Sequence, residues 1–118
     1  MENTNTQTIL LAGATGYLGG FIAKALVEEN FKTKLIARST KKLKSFESNT
    51  VKIIKAEVTK SDTLYGICKG ITTVISTVGI TRQKDGLSYM DVDYQANLNL
   101  LNEAKRAGVK KFIYVSAI

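Results

Sequence analysis

The chemistry available to this chain begins with glycines spaced three apart in Leu10-Leu11-Ala12-Gly13-Ala14-Thr15-Gly16-Tyr17-Leu18-Gly19-Gly20. Gly13 lets the backbone turn sharply off a strand, Gly16 keeps a Cβ out of the path of a pyrophosphate, and Gly19 lets the next helix pack tightly on the sheet. The free N–H groups at that helix start, together with the positive end of its dipole, attract phosphate without any charged side chain. The spacing is Gly-x-x-Gly-x-x-Gly rather than the usual Gly-x-Gly-x-x-Gly, so its weight depends on what flanks it. Thr8 to Ala12 is a continuous apolar run suited to a strand buried on both faces, and Phe21, Ile22, Ala25, Leu26 and Val27 follow at helical spacing. Strand, glycine turn and helix in that order make nucleotide binding the leading reading.

Composition excludes several other chemistries. Cys68 is the only cysteine and there is no histidine, which rules out an internal disulfide and argues against a metal site. Without a histidine to activate it, Cys68 reads as a buried packing residue. A formal net charge of +7 suits a polyphosphate ligand. The runs Lys41, Lys42, Lys44 and Lys105, Arg106, Lys110, Lys111 read as solvated faces rather than as a nucleic-acid site. No basic-then-apolar leader and no apolar stretch near the roughly 20 residues of a membrane span are present, so the expected location is cytoplasmic. At 118 residues the chain is long enough for one domain with a real core.

The elements that must position the glycine turn follow from periodicity and punctuation. Residues 1–7 are polar and aperiodic and read as a disordered leader; 8–118 read as one nucleotide-binding domain. Strands are expected at Thr8–Ala12, Thr33–Arg38, Val51–Ala56, Ile71–Val78 and Lys111–Ser116. Helices are expected after the glycine turn, from a Ser39-Thr40 cap to Phe46, from Ser61 or Asp62 to Lys69-Gly70, and from Leu87 to Ala107. Five strands alternating with four helices imply right-handed crossovers, a parallel sheet with helices on both faces and the strand order 3-2-1-4-5, a Rossmann-type three-layer αβα sandwich. The chain stops at Ala117-Ile118 directly after a buried-type strand, which leaves an uncovered apolar face and makes truncation of a longer protein the preferred explanation. The exposed edge also offers a homodimer contact, ranked below the other readings.

The glycine motif, the arginine after strand two, Ser76-Thr77-Val78-Gly79, and Asn97-Leu98-Asn99-Leu100-Leu101-Asn102-Glu103-Ala104 leading to Phe112-Ile113-Tyr114-Val115-Ser116-Ala117 resemble the short-chain dehydrogenase/reductase superfamily. The likeness is to its atypical and extended branches, including NmrA-like, isoflavone-reductase-like, NAD-dependent epimerase/dehydratase and divinyl-chlorophyllide-reductase-like proteins. It covers residues 8–118 and corresponds to the N-terminal half of such a protein, with the small-molecule substrate part absent.

The resemblance implies that Gly13, Thr15, Gly16, Tyr17, Leu18 and Gly19 lie under the pyrophosphate, with the Tyr17 and Leu18 amides as donors. Arg38 stands where the fold ordinarily uses an acid for the ribose 2′-hydroxyl. Its guanidinium suits a 2′-phosphate, so NADP is favoured over NAD, with Ser39 and Lys42 assisting. Glu57 and Val58 match the pair beside the adenine, and Ser76, Thr77 and Val78 match the segment that lines ribose and pyrophosphate. Ser116 lies near the family's catalytic serine, a position that the alignment sets at Ser116 or at Ala117, while the catalytic tyrosine and the lysine four residues on lie beyond this chain. Tyr65 and Lys69 show that spacing but fall on the wrong side of the sheet. The implied function is NADP(H) binding within an oxidoreductase or epimerase, the alternative being an NmrA-like redox-sensing regulator without catalysis.

Overall fold

The computed structural model describes residues 7–79 and 86–115. Its elements are β1 (Thr8–Ala12), α1 (Tyr17–Glu28), β2 (Lys32–Ala37), β3 (Val51–Lys55), β4 (Thr73–Ser76), α2 (Gly86–Arg106) and β5 (Lys111–Tyr114), with short 3-10 turns at Lys41–Phe46 and Ser61–Leu64. The strands form one sheet in the order β3-β2-β1-β4-β5, every neighbouring pair parallel.

Successive side chains of a strand point to opposite faces, so the unbroken apolar run of β1 supplies both cores at once. Ile9 and Leu11 join Leu35 and Val51 under Ala23 and Leu26 of α1 and Leu43 of the first 3-10 turn. Leu10 and Ala12 join Ile36 and Val74 under Leu64, Cys68, Leu100 and Ala104 on the other side. Helical layers therefore cover both faces, and the central strand is fully enclosed. At the β5 edge Ile113 and Tyr114 are exposed.

Several elements differ from the sequence expectation. The segments expected as the second and third helices are 3-10 turns. Lys41–Phe46 buries only Leu43, and its N-cap Thr40 makes no side-chain cap, too little to hold an α-helix of that length. The second turn is capped by Lys60 rather than by Ser61 or Asp62, and it ends because Gly66 takes φ +80 and gives its amide to Glu103 Oε2 at 2.9 Å. β4 is shorter than the apolar run Ile71–Val78: the Thr77 amide makes the last ladder bond, to the Ala12 carbonyl at 3.0 Å, while its hydroxyl reaches the Gly13 carbonyl of the glycine turn. In α1 the buried stripe is Gly19, Ala23 and Leu26; Phe21 and Ala25 face outward. Phe21 instead packs edge-on against Tyr17, ring centroids 5.1 Å apart. Small residues at 19 and 23 bring this helix close to the sheet, which a stripe through Phe21 would prevent.

Close approach makes a sharp prediction. A Cβ on Gly19 would stand 1.8 Å from the Gly13 carbonyl oxygen, a backbone atom that cannot rotate away, whereas one on Gly20 would meet nothing nearer than 3.6 Å. Gly19→Ala is expected to cost about 3 kcal/mol in urea unfolding through overpacking. Gly20→Ala is expected to be neutral or to stabilise by up to ~1 kcal/mol through helix propensity. Equal effects of the two would contradict this packing.

Candidate functional site

Ala12 of β1 lies level with Ile36 of β2 and Ser76 of β4, so the chain leaves these strands along one line. A cleft of about 420 Å3 opens there, at the carboxyl ends. This is where open parallel sheets bind ligands, at the point where the strand order reverses.

The centre of the cleft is the β1–α1 turn. Gly13 has φ +100, and a Cβ there would stand 2.1 Å from Thr77 Oγ1. The Thr77 hydroxyl donates to the carbonyls of Ala12 (3.4 Å) and Gly13 (3.3 Å), and its amide donates to Ala12 at 3.0 Å. The Gly16 amide returns to the Gly13 carbonyl at 3.0 Å, and the first helical bond runs from the Gly20 amide to the Gly16 carbonyl at 2.9 Å. The intervening amides of Tyr17, Leu18 and Gly19 have no acceptor among the described residues, and the N-cap Gly16 contributes no side chain. No acidic residue occupies the first turn. Such an end presents donors and positive potential to an anion.

On the β2 and β3 side stand Arg38, Ser39 and Lys42, all exposed, with Glu57, Val58 and Thr59. Arg38 and Lys42 pair with no carboxylate among the described residues. Glu57 Oε2 accepts from the Thr59 hydroxyl at 3.0 Å, and the Val58 carbonyl accepts from Asn99 Nδ2 at 2.9 Å. On the β4 side Asn97 Nδ2 donates to the Val78 carbonyl at 3.2 Å and to the Asp93 carbonyl at 3.0 Å, while Ser76 Oγ donates to Asn97 Oδ1. Two amide side chains of α2 thus hold the loops on either side of the cleft.

Of the residues singled out in the sequence, Gly13, Thr15, Gly16, Gly19, Arg38, Ser39, Lys42, Glu57, Val58, Thr77 and Val78 all line the cleft. Tyr17 and Leu18 are not among its lining residues; they open α1 next to Gly16, and the Tyr17 ring projects into solvent. Ser76 is fully buried beneath the cleft and serves the Asn97 network instead of facing a ligand. Tyr65 and Lys69 lie outside the cleft; Tyr65 sits under the Arg106 guanidinium, 5.1 Å from it. Ser116 lies outside the described residues. Sequence reasoning missed Thr59, Gly79 and Asp93 as lining residues, and Asn97 and Asn99 as loop anchors. The available signal was polar residues sharing the buried face of α2: Asn99 and Glu103, one turn apart, flank the core residues Leu100 and Ala104.

Among the described residues two titratable groups are perturbed. Burial raises the Asp93 carboxyl above its ordinary value. Burial, with a smaller contribution from Glu103 and partly offset by Lys34, pushes the Cys68 thiol up to about 11. Among the described residues no group of three or more acidic or cysteine side chains is arranged to hold a metal, and no helix is long and apolar enough to cross a membrane.

A parallel sheet in this order, with a glycine turn and an open helix N-terminus at its switch point, defines a Rossmann-type nucleotide-binding domain. The chain belongs to the NmrA-like family, whose profile matches residues 5–118, and it is an NAD(P)-binding domain related to epimerases and reductases. It is 28% identical over 110 residues to the photosystem II assembly factor Ycf39 of Synechocystis, covering 93% of this chain and 33% of that protein. It is 31% identical over 120 residues to isoeugenol synthase 1 of Petunia hybrida, covering 93% and 34%. Uronate dehydrogenase from Agrobacterium tumefaciens, solved in one form with NAD, superposes with a TM-score of 0.77 at 16% identity, over 93% of this chain and 40% of that one. At that identity the likeness speaks for the fold alone. The chain spans about a third of the length of the curated relatives it matches.

Asp93 and Cys68 give separable predictions. A carboxyl whose folded value is raised contributes stability below its unfolded value and loses it as pH rises through the folded one. Asp93→Asn should therefore melt higher than wild type at pH 7, with the gap closing on acidification; a gap independent of pH would contradict a partly desolvated carboxylate. The Cys68 thiol, protonated and enclosed, should resist a thiol-specific reagent in the native protein and react at once in urea.

Proposed function

We propose that this chain is the NADP(H)-binding portion of an atypical short-chain dehydrogenase/reductase, an oxidoreductase or epimerase whose substrate-holding part lies outside these residues. The observation that carries this reading is one cleft lined both by Gly13, Thr15, Gly16 and Gly19, where α1 starts with amides that have no acceptor among the described residues, and by Arg38 and Lys42, which pair with no described carboxylate. A pyrophosphate would satisfy these amides, which have no acceptor among the described residues. The planar fork of Arg38 matches a 2′-phosphate in two parallel hydrogen bonds, with Ser39 and Lys42 completing the shell.

Glu57 and Val58 border the adenine, the acid reaching the exocyclic amine and the valine packing on the ring. Thr77 and Val78 line the ribose on the β4 side. By sequence, Ser116 or Ala117 corresponds to the family's catalytic serine. Such a cofactor, when bound, supplies or accepts a hydride at its nicotinamide ring. The residues of this chain bind it, orient it and leave the substrate side to the rest of the protein. A second reading, a redox-sensing regulator without catalysis, draws support from the Synechocystis relative, which is named as an assembly factor rather than as an enzyme.

Melting experiments with added nucleotide test the main reading. A ligand at 100 times its Kd adds about 2.7 kcal/mol to stability, so NADPH should raise the melting temperature by several degrees and NADH by less. Arg38→Ala removes charge-assisted hydrogen bonds and should weaken NADPH about ten- to a hundred-fold while leaving NADH nearly unchanged. No shift with either nucleotide at millimolar concentration would overturn the proposal.

A further inference from the structure

A second cavity, of about 310 Å3, lies between the 3-10 turn at Ser61–Leu64 and α2, and it shares no lining residue with the cleft at the carboxyl ends of the strands. No aliphatic side chain lines it among the described residues, so it suits a polar occupant. At its floor stands Glu103, a carboxylate only 5% exposed, beside the buried Asn99. Glu103 Oε2 accepts the Gly66 amide at 2.9 Å, whereas Oε1 accepts no hydrogen bond among the described residues; Arg106 Nε stands 3.8 Å from it, beyond hydrogen-bond reach. A carboxylate has about four acceptor sites, and here one is filled. Since no fully buried side-chain oxygen among the described residues lacks a partner, Oε1 is open to the cavity rather than sealed.

The rim carries charge of both signs. Arg106 lies with its guanidinium carbon 5.1 Å from the centre of the Tyr65 ring, and the guanidinium donates no hydrogen bond to a described residue. Asp62 is exposed at the same rim and pairs with no described cation. A simple cation placed here gains from Glu103 and Asp62 but is repelled by Arg106, and a simple anion meets the reverse. A ligand that carries both charges on neighbouring atoms satisfies all three. Its ammonium gives N–H donors to Glu103 Oε1 and Asp62, and its carboxylate takes two parallel hydrogen bonds from the planar guanidinium.

We propose that this cavity binds a free α-amino acid, with the ammonium on Glu103 and Asp62 and the carboxylate on Arg106. The remaining polar lining, with Asn99 and Asn102, suits a small polar side chain. Binding there is independent of the nucleotide, because no residue of the cleft takes part.

Calorimetric titration of the chain with serine, glutamine and glutamate, and with serinamide and N-acetylserine as controls, tests it. At least one of the three free amino acids should bind with a Kd of about 1 mM or tighter. Serinamide, which lacks the carboxylate, and N-acetylserine, which lacks the ammonium, should bind about ten-fold more weakly than serine or not at all. Glu103→Gln removes the charge but keeps an oxygen for the Gly66 amide, and Arg106→Gln alters an exposed side chain. Each should weaken amino-acid binding by about ten-fold or more. If Glu103→Gln melts lower than wild type, Arg106→Gln alone decides. No binding of any of the three at about 10 mM overturns the proposal. Equal binding of serine and either control overturns it too, as does an affinity that Arg106→Gln leaves unchanged. None of these results touches the NADP(H) reading, which is tested by nucleotide alone.

Discussion

The site depends on one close meeting of backbone. The Gly13 carbonyl accepts the Thr77 hydroxyl from β4 and lies directly under Gly19 of α1, so three elements converge with no room for a side chain between them. That convergence aims the start of α1 across the carboxyl ends of the strands and leaves its first amides facing the cleft. A helix displaced outward by a Cβ at 19 would carry those amides away from the line on which Arg38 and Thr77 stand. The opening of these amides toward the cleft and the packing of α1 on the sheet are therefore the same structural event, seen from two sides.

A second constraint comes from α2, which spends polar side chains inside the protein. Asn97 holds the segment after β4, Asn99 holds the one after β3, and Glu103 accepts the Gly66 amide below them. A made hydrogen bond adds only about 1 kcal/mol net, but leaving a buried partner unmade costs about 1–3 kcal/mol, so these contacts act mainly by forbidding other loop positions. Among the described residues no buried side-chain polar atom lacks a partner. The two walls of the cleft are consequently set by a single helix, and Asp93, one turn before Asn97, is carried into the cleft by the same backbone.

This division of labour fits the family. The Rossmann sheet holds what the relatives have in common, while fold likeness at 16% identity says nothing of substrate. Relatives named for photosystem assembly and for isoeugenol synthesis match the same residues, which is what is expected if the shared part handles the nucleotide and the rest of each protein handles its own task.

Much of the fold was legible in the order of residues, because it depends on local pattern. The apolar run of β1, the glycines that follow it and the repeated strand segments specify a parallel sheet in the order observed, since few chain paths let right-handed crossovers bury such strands on both faces. Arg38 was legible for the same reason: its place is counted from the end of a strand. The outward turn of Phe21, the reduction of two expected helices to 3-10 turns and the withdrawal of Ser76 from the cleft were not, because each is decided by what a residue meets from a distant part of the chain. Asp93 belongs with them. Its neighbours along α2 give no sign of it; only the packing of that helix against Gly79, across fourteen positions of sequence, brings a carboxylate to the cleft.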